Sequence, residues 1–278
     1  MRNEQLIRKS AVAGMFYPAN PDKLRETIAE LIKSEKSKIK TELANHEIIG
    51  GVVPHAGYIY SGYEAIHFFE LIRLSGKEFD TIVILNPDHQ GYSPTFATSP
   101  HDKWETPLGY LPMDKEMAEY FPKSEIAHRN EHAAEVMLPF IQVFFGDQVK
   151  ILPISIGNPT PDTAKKLAHD IFDAAKETGR KVLIIASSDF SHYVTPEDGI
   201  KLDDLVLEKI EKLDIDGVFQ AIRKLGISVC GYGPIMTLME YSLLCSKTLK
   251  VEIAARGNSG KHSPSKSVVD YVTIIFSS

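Results

Sequence analysis

Three short turns in this 278-residue sequence carry residues suited to acid–base chemistry. The apolar run at 182–186 (VLIIA) stops at Ser187-Ser188-Asp189, and His192 follows three residues after the aspartate. The run at 48–53 (IIGGVV) ends in Pro54-His55-Ala56-Gly57-Tyr58, and the run at 81–85 (TIVIL) ends in Asn86-Pro87-Asp88-His89. Unbroken apolar runs of this length fit strands buried on both faces of a parallel sheet. Open α/β sheets bind their ligands beyond the carboxyl ends of such strands. Taken alone, Asp189 reads equally well as the cap of a turn. The recurrence carries the information: His55, His89 and His192 are expected to converge on one crevice, with Asp189 in contact with His192. Clustered ionisable groups of that kind usually mark chemistry.

Two further segments hold reactive residue types. In RNEHAAEVMLPF, at 129–140, a helix is expected to start at Glu131. Glu131, His132 and Glu135 then read either as first-turn residues facing the helix dipole or as groups that order a ligand sphere. Cys230 lies in SVCGYGP just before an expected helix over 235–245. A helix N-terminus favours thiolate, and the other reading is a small buried residue. Cys245, beside Leu243 and Leu244, reads as core. Trp104, the only tryptophan, either packs or touches a ligand. Tyr58, Trp104, Glu131 and His132 are the candidate substrate contacts.

The elements that must position these residues follow from periodicity and caps. Asn20-Pro21 caps a helix with Leu24, Ile28, Leu31 and Ile32 on one face, running to about residue 37. A polar stretch at 35–46 links it to the first strand, and 63–74 forms a mostly buried helix before the second. The turn-rich segment 90–113 is expected to hold two paired strands near 95–98 and 108–111. A short helix over 114–120, a strand over 149–154 and an amphipathic helix over 160–177 follow. Helices over 195–213 and 216–225 precede the cysteine segment. Alternating patterns at 249–255 and 268–276 read as an antiparallel pair.

The bulk composition is that of an ordinary globular chain, with 43% hydrophobic and 24% charged residues. A net charge of −6 argues against a nucleic-acid platform. Two cysteines imply no disulfide framework and point to a reducing, cytoplasmic setting. The opening MRNEQLIRKSAVAGMFY lacks the apolar stretch of a signal peptide, and no apolar run approaches the ~18 residues of a membrane span.

The ordered motifs AVAGMFYP (11–18), PHAGYIYSG (54–62), WETPLG (104–109), RNEHAAEVMLPF (129–140), SSDFSHY (187–193) and CGYGPI (230–235) resemble those of the Memo family, also called the AmmeMemoRadiSam system protein B family. Three positions depart from the family pattern: NPDH before His89, Met137, and NSGK in the late loop. The resemblance implies one α/β domain over 1–278. Its fold would be similar to class III extradiol ring-cleavage dioxygenases, with a twisted mixed, largely parallel central sheet flanked by helices. It implies metal ligands at His55, His89 and Cys230, with Asp189 and His192 beside them as catalytic groups, and iron or copper, or else zinc, as cofactor. A thiolate in place of the dioxygenase carboxylate argues against simple catechol cleavage. The expected function is therefore a metal-dependent redox enzyme acting on a small molecule or a modified group. The alternative is a non-enzymatic binding or signalling module that takes a peptide or an anionic ligand in the same pocket. A functional link to a radical-SAM protein and a homo-oligomeric state accompany the expectation; nucleic acid and membrane do not.

Overall fold

The apolar runs form the parallel centre of the sheet. In a computed structural model, which describes residues 5–278, Ile48–Val53, Val182–Ser187, Thr81–Pro87 and Lys150–Ile156 lie side by side in that order, all parallel. Nearly every residue in them is buried, as strands covered on both faces must be. Antiparallel strands extend both edges. Val268–Ser277 and then Lys250–Asn258 continue from Ile48–Val53, and Phe96–Thr98 continues from Lys150–Ile156. The strand bearing Asp189 is thus inserted between those bearing His55 and His89. Three neighbouring strands, ~4.8 Å apart, deliver their turns to one edge of the sheet.

Helices cover the two faces. Tyr58–Ser75 packs with Pro21–Glu35 and Leu138–Phe145 on one side, while Pro161–Thr178, Tyr232–Cys245 and Ile215–Leu225 pack on the other. The paired glycines of IIGGVV record how closely the layers approach. A Cβ at Gly50 would strike Leu238 of one layer, and a Cβ at Gly51 would strike Phe68 of the other. Alternate residues of a strand face opposite ways, so each glycine serves a different helix. Caps follow the local chemistry: Asn20 accepts from the Lys23 amide, and Thr160 and Thr163 form a reciprocal capping box.

Three sequence expectations change and one unanticipated strand appears. The pair placed near 95–98 and 108–111 is split. Phe96–Thr98 joins the main sheet, whereas Lys103–Thr106 pairs with Gly109–Pro112 in a separate three-stranded sheet completed by Ile7–Arg8. The helix expected from Glu131 starts later: Glu135–Met137 is a 3₁₀ turn and the α-helix is Leu138–Phe145. Pro139 has no N–H to bond the Glu135 carbonyl, so the α-helical ladder cannot run back through this point. A short strand, His192–Val194, pairs with Val268–Ser277. Cys245, read as core, is exposed at a helix end.

Candidate metal and acid–base site

At the carboxyl edge of the central strands lies a crevice of about 590 Å³, and its walls include His55, His89, His132, Asp189 and His192. Phe16, Tyr60 and Tyr271 give it aromatic sides, and serines of the 259–267 loop give it hydroxyls. Clefts of about 540 and 490 Å³ open at the opposite edge, around Lys77, Glu78 and Lys181, and gather no histidines. The chemistry belongs to the first.

His55, His89 and His132 each present a ring nitrogen within 4.8 Å of the others. Their ring centroids stand 5.3 Å (His55–His89), 5.4 Å (His55–His132) and 4.6 Å (His89–His132) apart. Hydrogen bonds set the tautomers. The Ser187 hydroxyl donates to the Ala133 carbonyl (2.8 Å), so at 2.8 Å from His55 Nδ1 its oxygen accepts the ring proton. That leaves His55 Nε2 with a free lone pair. Burial, followed by the three neighbouring histidines, holds His55 well below the usual imidazole range and therefore neutral. Burial also drives His132 down to about 4, against the attraction of Glu131.

Glu131 organises the other two imidazoles. Its carboxylate accepts from the His89 amide (2.8 Å), the Ala133 amide (2.9 Å) and His89 Nδ1 (2.9 Å), and lies 3.5 Å from His132 Nδ1. Burial works against the charge, but the bond and charge of His89 outweigh it and keep Glu131 below its ordinary value. Burial likewise pulls His89 down, and the hydrogen bond and charge of Glu131 reverse that shift. A buried carboxylate behind two imidazoles fixes ring orientation and raises basicity, as partners of metal-binding histidines do. The donor set fits a divalent or redox-active metal ion: two neutral imidazoles, and a third whose free nitrogen is aimed by an anion.

Asp189 and His192 border the cluster but do not bond each other. Asp189 Oδ1 accepts from the His55 amide (2.7 Å), while His192 Nδ1 donates to the Ser228 carbonyl (2.7 Å). The contact expected between them is replaced by these two. Burial pushes the Asp189 carboxyl up to about 6, against the His55 amide and the charges of His192 and His89.

Cys230 Sγ is 3.4 Å from His55 Nε2 and accepts from the Asp189 amide at 3.2 Å. Burial and the Asp189 charge push its thiol up, so the helix N-terminus alone does not make it a thiolate. His55 and His89 are thus brought together, and the third imidazole beside them is His132. Glu131 touches two of these rings. Tyr58 and Trp104 do not line the crevice. Tyr58 stacks on Phe140 (4.3 Å) and donates to the Val136 carbonyl (2.9 Å); Tyr60, ~200° further round the helix, faces the crevice instead. Trp104 is fully buried, donates to Ser99 Oγ (3.1 Å) and carries the Arg8 guanidinium 4.4 Å above its ring.

The motif AVAGMFYP is tied to this site through Glu135. That carboxylate is ion-paired to Arg8 and accepts from the Ala11 amide (2.8 Å), the Val12 amide (3.0 Å) and the Tyr17 hydroxyl (2.6 Å). The segment so fastened carries Phe16, whose ring sits 4.7 Å from His132. Phe16 lay in a motif of unexplained purpose and Tyr271 in an expected strand, and neither position carried a signal for the site.

The family model described as Memo-like protein matches residues 8–275. A MEMO1 family protein of Desulfurococcus amylolyticus is 41% identical over 97% of this chain and 98% of its own length. MEMO1 family proteins of Archaeoglobus fulgidus and Methanosarcina acetivorans are each 39% identical over 97% of this chain, covering 99% and 98% of their own lengths. The chain belongs to the Memo-like family.

Proposed function

From that membership and the site's geometry, we propose that the chain is a metal-dependent redox enzyme of dioxygenase-like architecture. His55, His89 and His132 hold the ion, and Asp189 and His192 move protons beside it. The observation that carries the reading is the convergence of three imidazole nitrogens within 4.8 Å at the carboxyl edge of a parallel sheet. Iron or copper bound there supplies one-electron and oxygen chemistry, whereas zinc supplies Lewis acidity alone. The residues of the chain do the rest. Asp189, buried and titrating near 6, exchanges a proton close to neutrality. His192, its Nδ1–H fixed on Ser228, offers Nε2 to the crevice as an acid or base. Phe16, Tyr60 and Tyr271 limit the water that reaches these groups.

A second ligand set, His55, His89 and Cys230, is favoured by the thiol lying 3.4 Å from His55 Nε2. A cation there would stabilise the thiolate that burial disfavours. Anaerobic titration with Fe(II), Cu(I) and Zn(II) separates the two sets. With three imidazoles, His132→Ala weakens binding about tenfold or more and Cys230→Ser leaves it within a few fold. The reverse pattern selects the thiolate set. Wild-type protein that binds none of the three ions overturns the enzyme reading and leaves the binding module.

A further inference from the structure

Behind the turn that carries Asp189 and His192, two buried carboxyls meet. Asp203, on Pro196–Glu211, accepts through Oδ1 from both the amide (3.1 Å) and the hydroxyl (2.6 Å) of Ser191. Asp270, on Val268–Ser277, grips the same turn through its backbone. Its N–H donates to the Ser191 carbonyl and its own carbonyl accepts from the Phe190 amide, both at 2.9 Å. Asp203 Oδ2 and Asp270 Oδ2 are both buried, and no donor reaches either. Asp270 Oδ2 lies against Gly199, which stands one helical turn before Asp203 on the same face, so the two carboxyls are neighbours. Gly199 leaves room for this, because a Cβ there would overlap Asp270 Oδ2.

Two neighbouring carboxylates, each with a buried oxygen that no donor reaches, are costly, and one shared proton would satisfy both. The charged neighbours do not replace it. Arg256, from Lys250–Asn258, stands 3.7 Å from Asp203 Oδ2 and spends its hydrogen bonds on Asp204 (2.6 Å) and the Ile200 carbonyl (3.1 Å). Asp204, from the same helix as Asp203, is paired with that guanidinium. On the turn itself, His192 Nδ1 is directed to Ser228 and Asp189 to the His55 amide.

We propose that Asp203 and Asp270 share one proton, and that the pair acts as a positioning device for the Asp189–His192 turn, tight when protonated and loosened when the proton leaves. The proposal concerns the turn and not the metal, so it stands or falls independently of the ligand set. Burial and the facing Asp203 carboxyl push Asp270 up to about 7, in keeping with a retained proton. An opened turn would return both acids to ordinary carboxyl values near 3.9. Protection is therefore complete at low pH and is lost as pH rises toward the closed-state value.

Amide hydrogen exchange of Phe190, Ser191, His192 and Asp270, corrected for intrinsic rates, reads this directly. A proton released on opening costs up to about tenfold in protection per pH unit and less near the closed-state value, so the pair accounts for about a fiftyfold loss between pH 5 and 7. Asp189 adds its own slope, and the test is therefore the difference between wild type and Asp270→Asn. The asparagine amide donates permanently to Asp203, and the profile should become shallower by one proton. Equal slopes in the two proteins overturn the proposal. Carbon-detected titration of the wild-type aspartates gives a second reading that needs no variant. A carboxyl of the pair still protonated above pH 6 is expected, and both complete by pH 5 would end the idea.

Discussion

Replacing Glu135 with alanine should destabilise the protein far more than a typical substitution. The carboxylate is fully buried and holds four groups: the Arg8 guanidinium, the amides of Ala11 and Val12, and the Tyr17 hydroxyl. Removing one partner of a buried ion pair costs about 3–5 kcal/mol, because the other charge stays buried. Each orphaned donor adds about 1–3 kcal/mol, less where water enters the new space. Arg8 keeps its bonds to the His128 (3.1 Å) and Glu131 (2.7 Å) carbonyls, which offsets part of the loss. The sum is at least about 4 kcal/mol, a large share of a stability of about 5–15 kcal/mol. Urea unfolding followed by circular dichroism measures the total. Fluorescence of Trp104, which lies directly under Arg8, reports the local event. The joint change Arg8→Met with Glu135→Leu should recover only the part owed to the unpaired buried guanidinium, since the Ala11 and Val12 amides and the Tyr17 hydroxyl still lack their acceptor. A cost below about 1 kcal/mol for Glu135→Ala, or a joint variant as unstable as the two single losses added, would refute the reasoning.

Two other outcomes test further buried acids. Glu131→Gln keeps the size of the group but removes the charge that aims His89 and His132, so metal affinity by calorimetric titration should fall about 10–100-fold. An unchanged affinity would deny Glu131 its orienting role. Glu64, buried against Gly257 with one oxygen unpartnered, is pushed by burial from 4.5 up to about 7 despite the pull of Lys261. The folded value is the raised one, so its stabilising contribution is present below pH 4.5 and is lost as pH rises through about 7. At about 1.4 kcal/mol per pH unit, that interval amounts to about 3 kcal/mol. Unfolding free energies at pH 5 and pH 8 should therefore differ less in Glu64→Gln than in the wild type, and parallel values would count against the assignment.

The parallel sheet and its His-bearing edge were legible because burial on both faces leaves a purely local trace, an unbroken apolar run ending in turn residues. The 103–112 hairpin was less so. Lys103–Thr106 buries only alternate residues and Gly109–Pro112 buries one, so neither segment announces its partner. Tyr58 and Trp104 were drawn into the site by residue type. Their hydroxyl and indole N–H find partners inside the core, a long-range outcome that composition does not encode.

His132 shows where local reading reaches its limit. Its sequence neighbours, two acids flanking it before an apolar run, match a helix start closely, and that pattern competes with any reading of the imidazole as a ligand. What brings the imidazole to the crevice lies 42 residues before Glu131, where that residue's carboxylate meets the His89 ring and amide. That bond takes Glu131 out of any helix-capping role, and Pro139 postpones the helix to Leu138. The intervening chain is left as a loop that swings His132 over the crevice. The cluster therefore depends on two kinds of positioning. His55 and His89 arrive on strand ends, and His132 arrives on a loop pinned by two buried acids, Glu131 toward the site and Glu135 toward the N-terminal segment. The rigid sheet sets where two imidazoles stand, and the buried carboxylates set whether the third can join them.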